Sequence, residues 1–537
     1  MAELLTAAQM RAIETAAMAS GEVSGLELME RAGAGVVAAI MQEWPELEAA
    51  AQRALVLCGP GNNGGDGFVI ARLLAERGWE VEVYLYGDPG RLPPDARTNY
   101  ERWREIGTVQ RYEDDGPEAF WLDPELCREQ TVLIDALFGT GLTRPVEAFN
   151  AVGWATQISE WRLPRDQRRG AYPAVRVVAV DLPSGLCADS GRRLRSARPP
   201  QELEEIRADL TVTFHARKLG HVLAEGPALC GKVVVAPIGL ETLRRPRAAR
   251  EQRATLVGPP DGLGKAGGGH KYSHGHALVL SGGFGRTGAA RLAARAALRV
   301  GAGLVTLGAP GAAQMEVAAQ ITALMLRRVE EAEDLAALLG DARLNALCLG
   351  PGLGQDRARD LVPVALEAGR AVLLDADALS AFAGDPDELF DMLHEGCVLT
   401  PHGGEFARLF PDLAEQLAAR PESGPAFSRV DAAREAARQA GCTVLLKGPD
   451  TVIAAPDGRV SVHAAVGARS APWLATAGAG DVLAGLIAGL MARGLSPFQA
   501  ACSGAWLHVE AALAFGPGLI AEDLPEALPG VLRGLAG

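Results

Sequence analysis

The 537-residue chain is short of lysine, has no closely spaced cysteines and lacks long apolar runs, and each shortage removes a class of function. Its eight cysteines (Cys58, Cys127, Cys187, Cys230, Cys348, Cys397, Cys442 and Cys502) never lie closer than 43 residues. Neither a zinc site built on cysteine pairs nor a disulfide framework is therefore expected, and reduced thiols in a cytoplasm fit best. No stretch supplies about 18 uninterrupted apolar residues, and Glu3 precedes any positive charge, so neither a membrane span nor an export signal is expected. Basic residues are outnumbered 52 to 66, and the net charge of -14 argues against nucleic acid as a partner. Only Lys218, Lys232, Lys265, Lys271 and Lys447 are lysine. Against an arginine-rich background, a retained lysine marks a place where a compact ammonium is needed.

What is present suits large buried cores: 48% of residues are hydrophobic and 22% charged. In the first half, short β-branched runs at 54–58, 81–86, 131–135, 175–181, 210–214 and 232–236 alternate with helical patterns at 26–44 and 67–77. That alternation predicts a doubly wound α/β domain with a parallel sheet. A charged stretch at 241–255 without an apolar stripe reads as a linker or, in part, a solvated helix. The second half repeats the pattern, with strands expected at 276–281, 304–307, 346–350, 371–375, 397–400, 443–447 and 451–455 and an apolar helix at 481–492. Two fused α/β domains are expected, over 1–242 and 255–537, joined by 243–254.

The first half carries GPGNNGGDG at 59–67, between a strand and a helix. Gly59, Gly61 and Gly64 formally match a dinucleotide fingerprint, with Glu80 and Glu82 near the place of a ribose-binding acid. A glycine-rich turn serving only tight packing is an equal reading until Asn62, Asn63 and Asp66 are weighed. These place three oxygen-bearing side chains beside helix N-terminal amides, which suits anions and hard cations. Asp135 and Asp181 end further strands and lead into FGTG and PSG. Each alone is best read as a turn or cap residue. With the Asn-Gly loop, Asn63, Asp135, Asp181 and Ser184 converge at the strand ends of a doubly wound sheet.

GNNGGDG, DALFGTG, DLPSG and TFHARKLG (213–220) resemble the NAD(P)H-hydrate epimerase domain, over about residues 1–240. The resemblance implies a Rossmann-like fold. It assigns Asn62, Asn63, Gly64, Gly65 and Asp66, with Gly139, Thr140, Gly141, Leu142, Thr143, Arg144 and Pro145, to the nucleotide phosphates of the hydrate. It assigns Asn63, Asp135 and Ser184 to a potassium ion and Asp181 to acid/base work at the nicotinamide ring. Lys218 is read either as a phosphate contact or as a solvated surface lysine.

The second half carries GAGDVLAG at 478–485, where two glycines precede Asp481 at the start of an apolar helix. Helix N-terminal amides neutralise a phosphoryl group in transfer, while an aspartate there accepts a proton from an attacking hydroxyl. Asp481 as a simple cap is the plain alternative. GPGLG (350–354), DADAL (375–379), TPHGGEF (400–406) and LLKGPDT (445–451) follow other strands. Among them, His402 offers a ligand contact or a structural role, and Glu405 a magnesium ligand, direct or through water. With GAARLAARAALRVGAGLVT (288–306), the set resembles the ribokinase-like NAD(P)H-hydrate dehydratases over about residues 255–537.

That resemblance assigns Ala289, Gly354, His402 and Asp481 to the hydrate, and Lys447, Gly448, Pro449, Asp450, Thr451 and Gly480 to an adenine nucleotide. The nucleotide expected is ADP with Mg2+, with ATP as the second choice. HKYSHGHALVL from His270 departs from the family's usual HKG. His274 and His276 there are read as a polar turn, one ring exposed and one half-buried, rather than a metal site. Together the halves imply repair of NADHX and NADPHX: one epimerises, the other dehydrates one epimer. Three rivals are a small-molecule kinase fused to a nucleotide-binding domain, an NAD-dependent dehydrogenase, and a non-enzymatic nucleotide-binding module. Homo-oligomers are expected from the apolar helix faces that α/β domains of this size bury between subunits.

Overall fold

The computed structural model describes residues 2–49, 52–112, 131–146, 176–195, 206–241, 253–265 and 269–536. Most of the expected linker lies outside them, as does Cys127. The chain divides into two compact units: Glu3–Arg253 with Arg420–Ser428, and Met1–Ala2 with Ala254–Ala419 and Arg429–Gly537. The segment Arg420–Ser428, read from sequence as part of the second half, clusters with the first unit. Its Gly424 N donates to Thr143 O at 2.9 Å, and Ala426 is buried with Leu142, Cys187 and Leu194.

The first unit is built on a seven-stranded sheet. Its strands are β1 (Arg53–Cys58), β2 (Glu80–Tyr86), β3 (Val109–Tyr112), β4 (Thr131–Ala136), β5 (Arg176–Val180), β6 (Leu210–Phe214) and β7 (Lys232–Ala236). They lie in the order β3-β2-β1-β4-β5-β6-β7, all parallel. Val132, Leu133 and Ile134 are fully buried, as a strand covered by helices on both faces requires. The chain winds outward from β1 through β3, then restarts on the other side with β4. The crevice beyond the ends of β1 and β4 is thus the switch point, where an open α/β sheet binds ligands. Helices α1 (Ala7–Ala19), α2 (Gly25–Glu43) and α3 (Asn62–Ala75) flank it, the first two opened by Thr6 and Ser24 capping boxes.

The second unit's strands are β8 (Ala254–Leu256), β9 (His276–Leu280), β10 (Leu304–Ala309), β11 (Met325–Arg328), β12 (Ala346–Leu349), β13 (Ala371–Leu374), β14 (Cys397–Leu399), β15 (Thr443–Leu446), β16 (Asp450–Ala454) and β17 (Val460–Ala464). They run β11-β10-β9-β12-β13-β14-β15-β16-β17-β8. The sheet is parallel from β11 to β15, but β15, β16 and β17 pair antiparallel. The connections 447–449 and 455–459 are too short for a crossover helix, so the uniform βα repeat expected from sequence gives way there to a meander.

Helices α4 (Gly288–Arg299), α5 (Ala479–Ala492) and α6 (Pro497–Phe515) form one layer on this sheet. The helix α5 is buried on all sides from Val482 onward and packs backbone-close on α4. A Cβ on Gly485 would stand 2.0 Å from Ala293 O, and one on Gly489 2.7 Å from Ala297 Cα. The glycine spacing of AGLIAGL is therefore a packing groove. Among the described residues, no helix is long and apolar enough to cross a membrane, and the described cysteines are free and buried.

Candidate active sites at two glycine-led helix ends

In the first unit, a cavity of about 620 Å³ opens at the switch point. It is lined by Asn62, Asn63 and Asp66 from the start of α3, by Gly139 to Arg144 from the loop after β4, and by Asp181 from the loop after β5. The structure thus brings the expected motifs into one crevice. Pro145 is described but does not line it, and neither do Gly64 and Gly65, whose backbones are packed inward. Gly64 lies against Gly59, and Gly65 against Met29 and Ala96. At Gly139 a Cβ would sit 3.0 Å from Asn63 Oδ1 and 3.2 Å from Asp181 Oδ2, so only glycine keeps that floor open.

Asp181 is held rigidly. Its backbone is left-handed, with φ of 67°, a strained state for a residue other than glycine. Asp181 Oδ1 accepts Thr213 Oγ1 at 2.8 Å and Lys218 Nζ at 2.9 Å, and Oδ2 accepts the Thr140 amide at 3.2 Å. Burial pushes this carboxyl up, but Lys218, His221 and Thr213 outweigh it and keep the group below the ordinary range. Lys218 is buried and donates also to Thr213 and to Phe214 O. Both sequence readings of Lys218 are corrected: with three acceptors for three protons, it is neither a solvated lysine nor a free phosphate ligand. His221 accepts Lys218 N at Nδ1 and donates from Nε2 to Asp181 O, and burial lowers it to about 4, so it stays neutral.

Asp135 is fully buried at the end of β4. Ser184 donates to it twice, from Oγ at 2.6 Å and from N at 2.8 Å, while Phe138 N donates to Ser184 Oγ at 2.9 Å. Burial raises Asp135 to about 6 against these hydrogen bonds. Sequence reasoning missed Glu14 and Arg11, which α1 presents to the same cavity. Nothing in the strand-end motifs points to a helix that precedes the first sheet strand.

In the second unit, Gly478 caps α5 in a left-handed conformation, φ 89°, and Asp481 sits in the first turn. Buried His508, lowered to about 4 and hence neutral, donates from Nε2 to Ala479 O at 2.9 Å and steadies that turn. A Cβ on Gly480 would be 3.7 Å from Lys447 Nζ, so the GAGD turn and the lysine-bearing turn share one cleft. Lys447 Nζ bonds buried Asp375 at 2.7 Å and lies 3.9 Å from Glu405. Burial, then the Asp375 charge, push Asp481 up to about 6, with Lys447 opposing and Asp377 adding. Sequence reasoning named DADAL but not Asp375 as the partner of Lys447.

Gly354 caps a helix and its N donates to Asp377 at 2.8 Å, while Gly352 packs on Ala289, which gathers GPGLG and the start of α4. His402 serves the fold: its Nδ1 accepts from the amides of Gly404 and Glu405, and Glu405 Oε2 accepts from His402 N. The side chains of Asp450 and Thr451 also turn inward. Asp450 pairs with Arg429 at 3.2 Å, and Thr451 Oγ1 donates to Gly448 O at 2.6 Å. His276 is buried against Thr306 at 2.7 Å and His274 is half-buried, so the ring expected to be exposed is not. Among the described residues, no three His, Cys, Asp or Glu side chains are grouped to hold a metal.

Two family models match the chain: NAD(P)H-hydrate dehydratase over residues 277–527 and YjeF-related protein N-terminus over 25–220. A bifunctional NAD(P)H-hydrate repair enzyme of Moorella thermoacetica is 37% identical across 99% of this chain and 97% of its own length. An NAD(P)H-hydrate epimerase of Rhodobacter capsulatus is 47% identical across 45% of this chain and all of its own length. Among solved structures, an ADP/ATP-dependent NAD(P)H-hydrate dehydratase from Bacillus subtilis, 28% identical, covers 51% of this chain and 94% of its own, with a TM-score of 0.41. Both halves match along almost the full length of the bifunctional relative, and the chain belongs to the bifunctional NAD(P)H-hydrate repair enzymes.

Proposed function

We propose that the first unit interconverts the two C6 epimers of hydrated NADH and NADPH, and that the second dehydrates the S epimer while ADP becomes AMP and phosphate. The observation that carries this reading is the cleft of Asp481, Gly480 and Lys447 at an all-buried helix. Hydroxide leaves carbon poorly. Asp481 takes the proton of the C6 hydroxyl as its oxygen attacks the terminal phosphorus of ADP, and the bond from that phosphorus to the bridging oxygen breaks to release AMP. The lone pair on N1 then expels phosphate, and loss of the C5 proton restores the dihydropyridine. Amides at the start of α5 stabilise the charge on the phosphoryl group in transfer.

Ala289 and Gly354 shape the hydrate's side of the cleft, with the outward edge of His402. Lys447, Gly448 and Pro449 meet the nucleotide with Gly480, and Asp450 and Thr451 support their turn from behind. Lys447 lies between Asp375 and Glu405, which does not suit direct magnesium ligation by Glu405. A magnesium ion carried on the nucleotide phosphates, reached by Glu405 through water, fits the donor set better and neutralises phosphate charge when bound.

In the first unit, the Asn-Gly loop and Gly139 to Arg144 hold the phosphates, with Pro145 closing that loop. Asp181 faces the ring and stabilises the cation that forms when N1 drives water from C6. Asn63, Asp135 and Ser184 offer an amide oxygen, a carboxylate and a hydroxyl, an all-oxygen set suited to potassium. The buried Asn63 Nδ2 has no hydrogen-bond partner, which leaves that amide free to turn its oxygen toward a cation. The ion, when bound, offsets negative charge beside the phosphates.

The test is incubation of the whole protein with mixed NADHX epimers and ADP or ATP. Complete recovery of reduced-cofactor absorbance with one phosphate per cofactor supports the reading; a stable phosphoester or no phosphate overturns it. We also propose that the protein self-associates, which light scattering of the whole chain would reveal.

A further inference from the structure

Epimerisation through a planar iminium needs two groups, one that protonates the departing hydroxyl and one that receives the proton of the water adding to the other face. In its resting, ionised state Asp181 suits only the second task. Both its oxygens already accept hydrogen bonds and Lys218 fixes its negative charge. The cavity must supply the acid from another element, and α1 points one into it. Arg11, Glu14 and Met18 line the cavity at spacings of three and four, one face of the helix, while Met10, Ile13 and Ala17 on the other face are buried in the core. This face is fixed at its start by the Thr6 capping box and by the Ala7 amide, which donates to Asp189 at 2.6 Å.

We propose that Glu14 is the catalytic acid of the epimerase site, working across the nicotinamide ring from Asp181. The inference rests on the epimerase reading of the first unit. The charged groups that line the cavity with Glu14 are Arg11 on its own helix, Asp66 on α3, Asp95, Arg144 and Asp181, and the buried Lys218 also acts on it. Burial raises Glu14 to about 7, with the Asp181 charge adding and Lys218 and Arg11 opposing. A substantial share of Glu14 is therefore protonated at neutral pH beside an aspartate that is not, and such a split between neighbouring carboxyls assigns acid and base. Asp66 is also raised, by burial, Asp181 and Glu14, but it belongs to the Asn-Gly loop assigned to phosphate.

Glu14 gives its proton to the C6 hydroxyl; the C6–O bond breaks, the N1 lone pair becomes the N1=C6 bond, and water departs. A water on the opposite face then bonds to C6 and loses a proton to the Asp181 carboxylate. A weak base suffices, because the proton leaves only as the new C–O bond forms. The proton passes from Asp181 back to Glu14 through water in the open cavity, and the reverse reaction uses the same groups in exchanged roles.

The experiment follows interconversion of purified S- and R-NADHX by chromatography, without ADP, for the whole protein and its Glu14→Gln and Glu14→Asp variants between pH 5.5 and 9. The unaltered protein is expected to slow as pH rises through about 7, when the shared proton is lost. Glu14→Gln is expected to lose about 100-fold or more in kcat with KM little changed and no alkaline fall, and Glu14→Asp to recover at least tenfold of that loss. Glu14→Gln within threefold of the unaltered protein, or retaining the same alkaline fall, overturns the proposal. So does a loss confined to KM, or one that Glu14→Asp does not relieve. If the unaltered protein fails to interconvert the epimers, the epimerase reading itself falls.

Discussion

Each unit sets a lysine and an aspartate in a glycine-lined crevice, yet the pairing differs. In the first, Lys218 bonds the aspartate assigned to the chemistry, Asp181, at 2.9 Å, and that carboxylate stays anionic. In the second, Lys447 bonds a neighbour, Asp375, at 2.7 Å, and Asp481 is left to burial and to the charge of Asp375, at about 6. The difference follows the tasks. In the proposed roles, a carboxylate that steadies a cationic ring stays ionised at rest and takes a proton only as water adds, whereas a base that takes a hydroxyl proton works best with a pKa near the working pH. One pairing favours a resting anion and the other a carboxyl poised to titrate near the working pH.

The most drastic break in the comparison is Asp181→Asn. Epimerisation is expected to fall by two to four orders of magnitude, about the worth of a positioned acid/base group. Dehydration of pure S-NADHX with ADP is expected to stay within about twofold, and chromatography with phosphate release reads both. Lys218→Met removes the cation from a buried anion and is expected to destabilise the first unit by about 3–5 kcal/mol, measured by urea unfolding. Adding a methyl at the helix contact, Gly485→Ala, forces α5 off α4 at a cost of about 1–3 kcal/mol in the second unit.

The subtlest change is in the acid limb of dehydration. A base must be ionised, so the rate is expected to rise with pH through about 6. Asp375→Asn removes a like charge and frees Lys447 to approach Asp481, which makes the second site resemble the first. The limb is then expected to move to lower pH, as kcat measured from pH 4.5 to 8 would reveal.

Much of this was legible in the chain itself. Six of the seven strands of the first sheet were read as apolar runs, 210–214 and 232–236 coinciding with β6 and β7, because buried parallel strands must be short, branched and continuous; β3, with two exposed residues on the sheet edge, was not. The scarcity of lysine pointed at Lys218 and Lys447, each now found against a buried aspartate. What could not be read was the direction in which a side chain faces. His402, read as a ligand contact or a structural residue, caps a helix; Asp450 and Thr451, read as nucleotide contacts, turn inward; Lys218, read as a phosphate contact or a solvated lysine, is buried. Motifs name residues near a strand end, but orientation depends on partners far away in sequence, such as Arg429 for Asp450. Glu14 had no motif at all, since α1 reaches the cavity only through tertiary packing. The 420–428 segment was misplaced for the same reason.

The most direct test of the account is Asp481→Asn supplied with mixed NADHX epimers and ADP. The account predicts that orthophosphate release and recovery of reduced cofactor both vanish while R and S hydrates continue to interconvert at the unaltered rate. Phosphate released at the normal rate, or loss of both activities together in a folded variant, would contradict it.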